Sequence, residues 1–331
     1  MTTSIPRGRV PAAAITGSTA LATPAQARLR RLSALAKSGL RRYPRALWEC
    51  LNRLEARECA SPVPTGNGLP DVTSHTLAAA WLGHATVFVR LNGLNILMDP
   101  VFSDRIGMSI GGFTLGLSRL KPAPVAAHEL PKIDLLLISH AHFDHLDKPT
   151  LRKLASKHTT VITARKTTRL IPGGFGGVIE LDWEDRLVFK GLELRALRPA
   201  HWGARTALDR GRGYNSYLVR APDHGVLLAG DTAYTDAFRG LGDLALAVMG
   251  IGAYEPWVHA HATPEQTWEM FRTSGARRLL PVHHSTFPLG DEHVDEPMER
   301  LCKAAAGELD RIIAVAPGAV WSHAEPALKA G

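Results

Sequence analysis

The sequence predicts an α/β fold, a layered body of strands and helices preceded by a basic helical arm, and three observations predict it. From Leu77 onward, short apolar runs bounded by Gly, Asp, Asn and Pro recur along the chain, the pattern of β-strands. Segments with helical spacing of apolar residues fall between and after them, as a layered α/β domain requires. The charge is also uneven: of a formal net charge of +8, residues 1–60 supply all, with eleven Arg or Lys against three Glu. The rest of the chain is neutral, so the basicity belongs to an N-terminal arm.

Residues 1–27, "MTTSIPRGRVPAAAITGSTALATPAQA", have a short basic start, a weak apolar middle and an Ala-x-Ala-like end. Gly, Ser, Thr and Pro interrupt the apolar part, which argues for disorder, with a cleaved export signal as the alternative. In residues 28–57, Leu32, Leu35, Leu40, Leu47, Leu51 and Leu54 recur at spacings near three to four, with Arg on the other face. That is an amphipathic helix, broken before Pro44. "SPVPTGNGLP" then closes the arm-and-linker region, 28–70, ahead of the domain at 71–331. Such an arm suits an anionic membrane surface, or a second copy of the chain in a homodimer. No apolar run approaches the ~20 residues of a spanning helix. Cys50, Cys59 and Cys302 form no disulfide framework and permit a reducing compartment. The expected location is cytoplasmic, with peripheral contact at the inner face of the membrane.

Within the domain, "LAAAWL", "TVFVRL", "LNILMD", "IDLLLI", "TTVITA", "GLELRAL", "NSYLVR", "GVLLAG" and "LALAVMG" read as strands. "HLDKPTLRKLASKH", "TPEQTWEMFRTSG" and "EPMERLCKAAAG" read as helices, the first beginning at His145. "IDLLLI" is continuously apolar, as a strand buried on both faces should be.

Directly after that strand stands "SHAHFDHLD", with His140, His142, Asp144 and His145 on one loop. Alternate residues 140, 142 and 144 can point one way while His145 points another, a geometry that feeds two adjacent metal ions. More ligand types arrive at later strand ends: His201 after "LRALRPA", Asp231 after "GVLLAG", and His283 with His284 after "RRLLPV". A carboxylate such as Asp231 can bridge two divalent ions about 3.5–4 Å apart. Imidazole and carboxylate ligands without thiolate suit two Zn²⁺, with Fe or Mn as alternatives. Asp99, in "LMDP", sits at another strand end and reads as a residue that orients a ligand imidazole; His84, in "WLGHAT", reads similarly.

"HAHFDH" resembles the H-x-H-x-D-H signature of the metallo-β-lactamase superfamily of metallohydrolases, and the resemblance extends from about Leu77 to His323. Within it, "WLGHATVFVRLNGLNILMDPVFSDR", "SHAHFDHLD", "AHWGARTALD", "AGDTAYTDAF", "IGAYEPW" and "HATPEQ" are similar to the N-acyl-phosphatidylethanolamine phospholipase D family. The resemblance implies a metallo-β-lactamase-like αββα sandwich. It also implies that His140, His142 and His201 hold one metal and that Asp144, His145 and His283 hold the other, with Asp231 between them. The family spacing to Thr286 and Phe287 selects His283 over His284, and His261 matches a histidine near the family's active site. Because neighbouring residues of an extended strand point to opposite faces, only one of His283 and His284 can face the metals while the chain stays extended.

The expected activity is that of a zinc-dependent hydrolase, a phospholipase D-type phosphodiesterase on N-acyl-phosphatidylethanolamine-like phospholipids. Its nucleophile would be a hydroxide shared by two ions. Asp144 would double as ligand and proton acceptor, and His261 would meet the substrate or leaving group. The alternative is a soluble hydrolase of a small ester, lactone or phosphorylated metabolite; a non-enzymatic interaction protein is a third reading. No nucleotide-phosphate loop is present, Ser216 lies inside a strand without a nucleophile elbow, and the neutral body offers no track for nucleic acid.

Overall fold

The computed structural model describes residues 69–323 apart from 111–112, 207–208, 210 and 314–315. The expected N-terminal segment and helical arm, residues 1–27 and 28–57, lie outside the described residues.

Fifteen strands form two large sheets and one hairpin among the described residues. The first sheet runs β15 (Val320–Ser322), β1 (Leu77–Trp81), β2 (Val87–Leu91), β3 (Leu94–Met98), β6 (Leu135–Ile138), β7 (Thr160–Ala164) and β8 (Gly177–Leu181). The second runs β14 (Ala276–Val282), β13 (Leu244–Gly250), β12 (Gly225–Leu228), β11 (Ser216–Arg220), β10 (Leu192–Leu197) and β9 (Arg186–Phe189). Each sheet repeats one succession. In the first, β1, β2 and β3 pair antiparallel and are followed in parallel by β6 and β7; β10 to β12, then β13 and β14, do the same in the second. The sequence shows no visible repeat because strand pairing constrains residue class and period, not residue identity.

The two sheets share a core that holds Val87, Val89, Leu135 and Leu137 of one and Leu194, Tyr217, Leu228 and Val248 of the other. Alternate residues turn outward, as the two-residue period of a strand demands. On the outer side of β6, Leu136 and Ile138 pack with Leu151 of α1 (Lys148–Leu154). On the outer side of β13, Ala247 and Met249 pack with Trp268 and Phe271 of α2 (Pro264–Ser274) and Leu301 of α3 (Glu296–Ala304). β6 is thus buried on both faces, which is why it reads as an unbroken apolar run. The layers are helix, sheet, sheet, helix.

Two local readings are corrected. Helix α1 begins at Lys148, three residues past His145, because Pro149 fits only the first turn of a helix and His145 is spent in a tight turn. β4 (Arg105–Ile110) and β5 (Phe113–Ser118) form a separate hairpin that glycine-interrupted sequences such as "RIGMSI" did not announce. β9 is an edge strand with Arg186 and Val188 exposed, so its apolar signal is weak as well.

Candidate metal centre

Strands β6, β10, β12 and β14 deliver their C-terminal loops to one edge of the sandwich, and the loops carry the chemistry. His140, His142, Asp144 and His145 follow β6; His201 follows β10; Asp231 follows β12; His283 follows β14. The ligand loop after β6 is a tight turn, in which His145 N and Leu146 N both donate to His142 O, at 3.2 and 2.9 Å. Buried neighbours hold it in place. Asn215 N donates to Ser139 O at 2.9 Å, and Tyr217 donates its hydroxyl hydrogen to Ile138 O at 2.8 Å.

The side chains converge in two groups, each with ligand atoms within 4.8 Å of one another: His140, His142, His201 and Asp231, and then His84, Asp144, His145 and His283. A third set, Asp231, His261 and His283, joins them. Asp231 Oδ2 lies 3.0 Å from His145 Nε2, 3.7 Å from His201 Nε2 and 3.8 Å from His140 Nε2, while Asp231 Oδ1 lies 3.3 Å from His283 Nε2. One carboxylate therefore faces both groups. Asp144 Oδ2 is 3.5 Å from both His145 Nε2 and His283 Nε2.

Residues behind the cluster set the imidazole orientations. Asp99 Oδ2 contacts His145 Nδ1 at 2.8 Å and accepts from Ser139 Oγ at 2.6 Å, and Asp99 Oδ1 accepts from Ser139 N at 2.7 Å. His201 Nδ1 meets Ala260 O at 3.0 Å, which turns Nε2 toward Asp231. His84, read from sequence as an orienting residue, touches Asp144 directly, Nε2 to Oδ2, at 3.0 Å. His261 places Nδ1 3.9 Å from Asp231 Oδ2. The capping box of α2 fixes its approach: Thr263 and Gln266 bond reciprocally and Pro264 opens the helix.

His283 and His284 separate by a different device from the one expected. β14 ends at Val282, and His283 adopts a left-handed backbone, φ 62°, so the pair straddles a turn and not a pleat. The turn fits because Gly252 is bare: a Cβ there would sit 2.4 Å from His283 O. His283 enters the cluster, whereas His284 leaves it, stacks on Trp81 at 4.6 Å and bonds Ser285 Oγ at 2.9 Å. His84 (φ 52°) and Asp99 (φ 42°) share the left-handed conformation, which in non-glycine residues gathers at functional sites.

Burial dominates the imidazoles. It pushes His142 and His261 down to about 4, His84 down to about 3, and His140 and His201 well below the usual range. Burial opposes charge on Asp144 and Asp231 as well, yet His145 above all other neighbours keeps both well below the usual carboxylate range. His145 and His283 are the exceptions among the histidines. Against their burial, Asp231 and Asp144 raise His145 well above its usual value and His283 to about 9. Ionised carboxylates sealed among imidazoles call for positive charge at this point.

A metal pair fits these residues. His145 Nε2, Asp231 Oδ2 and both ring nitrogens of His283 are buried with no directed hydrogen bond. Orphaned buried polar atoms of this kind need a partner, and three of them, His145 Nε2, Asp231 Oδ2 and His283 Nε2, converge as an ion's ligands would. Sequence reasoning missed Ser139, which links Asp99 to His140 Nδ1 at 2.9 Å, and Trp202, which stacks on His201 at 4.6 Å. Their adjacency to motif residues was the only available signal.

Comparison with known proteins agrees with this geometry. Residues 94–284 match the Beta-lactamase superfamily domain. An uncharacterised protein of Mycobacterium tuberculosis is 31% identical over 294 residues, spanning 82% of this chain and 76% of its own length. The N-acyl-phosphatidylethanolamine-hydrolyzing phospholipase D 1 of Caenorhabditis elegans is 29% identical over 275 residues, spanning 75% and 76%. Among solved structures, a metallo hydrolase from the archaeon Ignicoccus hospitalis superposes with a TM-score of 0.57 at 18% identity, covering 76% of this chain and 99% of that one. With the αββα layers, the convergent His and Asp residues and a domain match over more than half its length, the chain belongs to the Beta-lactamase superfamily and has the metallo-hydrolase fold.

Proposed function

We propose that this protein is a binuclear metal-dependent hydrolase acting as a phospholipase D-type phosphodiesterase on N-acyl-phosphatidylethanolamine-like phospholipids. The observation that carries the metal reading is the pocket in which Asp231 faces both ligand groups and His145 Nε2, Asp231 Oδ2 and His283 Nε2 lack hydrogen-bond partners. The phospholipid reading is supported by the similarity to the nematode enzyme.

His140, His142 and His201 would hold one ion, Asp144, His145 and His283 the other, with Asp231 shared. Zinc suits these ligands best, and iron or manganese are the alternatives. Bound there, two divalent ions would supply an acidified water and neutralise charge that builds on a phosphoryl oxygen. The chain's own residues do the rest. Asp144 is the carboxylate of the cluster nearest solvent, 13% exposed against 2% for Asp231. Kept ionised by its imidazole neighbours, it can take a proton at its carboxylate. His261 is 14% exposed and neutral, so it can hydrogen-bond the substrate or the departing oxygen. His84 steadies Asp144 through their 3.0 Å contact.

The test is hydrolysis of a substrate panel by metal-loaded protein: N-acyl-phosphatidylethanolamine, simple phosphodiesters, lactones and thioesters. Preference for the phospholipid supports the proposal. Turnover of a lactone or thioester alone keeps the hydrolase and discards the phospholipase. The basic arm, residues 28–57, is proposed to dock on anionic membrane. Sedimentation with anionic vesicles that survives deletion of residues 1–60 would defeat that part.

A further inference from the structure

Arg205 stands on the loop after His201 and grips a different loop, the one that carries His142, Asp144 and His145. One guanidinium nitrogen, Nη1, donates to two backbone carbonyls, Ala141 O at 2.8 Å and Leu146 O at 2.9 Å. These carbonyls flank the arc of ligands on either side. The guanidinium carbon Cζ lies 4.0 Å from the centre of the Phe143 ring, in the middle of the arc. Arg205 therefore touches the start, centre and end of the ligand loop, with its hydrogen bonds going to the backbone. No carboxylate lies within salt-bridge distance of it among the described residues; carbonyl oxygens and an aromatic face meet its charge at contact, with Asp147 and Asp144 acting from further off.

The chain places this arginine with some care. Its loop is brought close by Gly203, where a Cβ would sit 2.0 Å from Gly213 O. Gly213 N in turn donates to Arg165 O at 2.9 Å. On the other side of the ligand loop, Asp99 and Ser139 hold His145 and the end of β6. The arc is thus held at separate points, by a carboxylate at one side chain and by a cation at its backbone.

We infer that Arg205 is a positioning residue for the metal centre. By bridging the carbonyls of Ala141 and Leu146 it fixes the arc on which Asp144 and His145 sit, and ties it to the loop that bears His201. It couples the ligands of the two proposed metal positions. The inference rests on the binuclear reading above. Its chemistry is that of a residue behind the ligands, whose loss typically lowers metal affinity about 10–100-fold.

The test compares wild type, Arg205→Met and Arg205→Lys by chelator competition for Zn²⁺ and by the visible spectrum of the Co²⁺-substituted proteins. Wild type should bind two ions. Arg205→Met, which keeps the length but has no donor, should hold the more weakly bound ion about ten-fold less tightly or worse, with an altered Co²⁺ spectrum. Arg205→Lys should fall between, since an ammonium can reach a carbonyl but cannot lie flat on Phe143. Methylguanidinium added to Arg205→Ala, which leaves room for it, should restore part of the affinity. A lower melting temperature with wild-type metal affinity and spectrum in both variants would mean a merely structural arginine, and would overturn the inference. Should Arg205→Met not fold, Arg205→Lys decides by the same affinity and spectrum. Wild type that binds fewer than two ions would instead remove the binuclear reading, a result distinguishable from failure of the arginine's role.

Discussion

Asp99 and His145 meet at 2.8 Å, carboxylate oxygen to Nδ1, with both side chains fully buried. The contact settles how His145 presents itself: Nδ1 faces Asp99, and Nε2 faces Asp231 and Asp144. Asp99 also accepts both the N–H and the hydroxyl of Ser139, so one carboxylate organises the end of β6 and the histidine that follows it.

Asp99→Asn should keep the shape and lose the charge. The expected result is metal affinity lower by about 10–100-fold with a modest fall in stability. Asp99→Ala should cost more, because Ser139 N would be left buried and unpaired, at about 1–3 kcal/mol. Chelator competition and thermal melts distinguish the two variants. Equal metal affinity in wild type and Asp99→Asn would show that the contact does not matter to the ions.

His283→Ala should lose one ion and nearly all turnover, whereas His284→Ala should keep both ions and change substrate affinity at most. His283 reaches Asp231 and Asp144, while His284 is engaged with Trp81 and Ser285. Metal analysis and hydrolysis rates are read side by side; the reverse pattern would assign the ligand to the wrong histidine.

Tyr217→Phe should destabilise the protein by about 1–2 kcal/mol, since it removes a buried hydroxyl that donates to Ile138 O at the base of the ligand loop. Chemical denaturation measures it. A neutral substitution would mean that the carbonyl finds another donor.

Arg300 bonds both oxygens of Glu265 at 2.8 Å and Glu296 at 3.2 Å, joining α2 to α3. The hydrogen bonds from Arg300 lower Glu265 below 4.5, and those from Tyr254 and then Arg300 lower Glu296. Since both folded values are depressed, the contribution is present above pH 4.5 and is lost as pH falls through the folded values. These groups are partly exposed, so each pair should supply less than about 1 kcal/mol. Arg300→Met should therefore flatten the acid limb of the stability curve below pH 4.5 and leave its slope at neutral pH unchanged. An identical acid limb in the variant would rule the network out.

Much of this was legible in the sequence. "IDLLLI" announced a strand with two buried faces, and the residues just after it announced where ligands would gather, because a loop leaving a parallel strand has few other places to go. His201, Asp231 and His283 were legible because each likewise follows the end of an apolar strand. The sequence was silent where contacts cross long separations without a periodic signature. Arg205 reaching Ala141 and Leu146 is one such case, and Ser139 joining Asp99 to His140 is another. The left-handed turn at His283 was also hidden, since nothing local distinguishes it from the last residue of a strand. The hairpin of β4 and β5 escaped because its glycines dilute the alternation that marks strands.

The central claim is that the buried His and Asp residues hold two metal ions, and elemental analysis of purified protein after zinc-replete expression tests it most directly. The protein should carry close to two transition-metal ions per chain, both removed by chelation together with all hydrolytic activity and both restored by added zinc. Protein that carries none and binds none on reconstitution, while remaining folded, would contradict it.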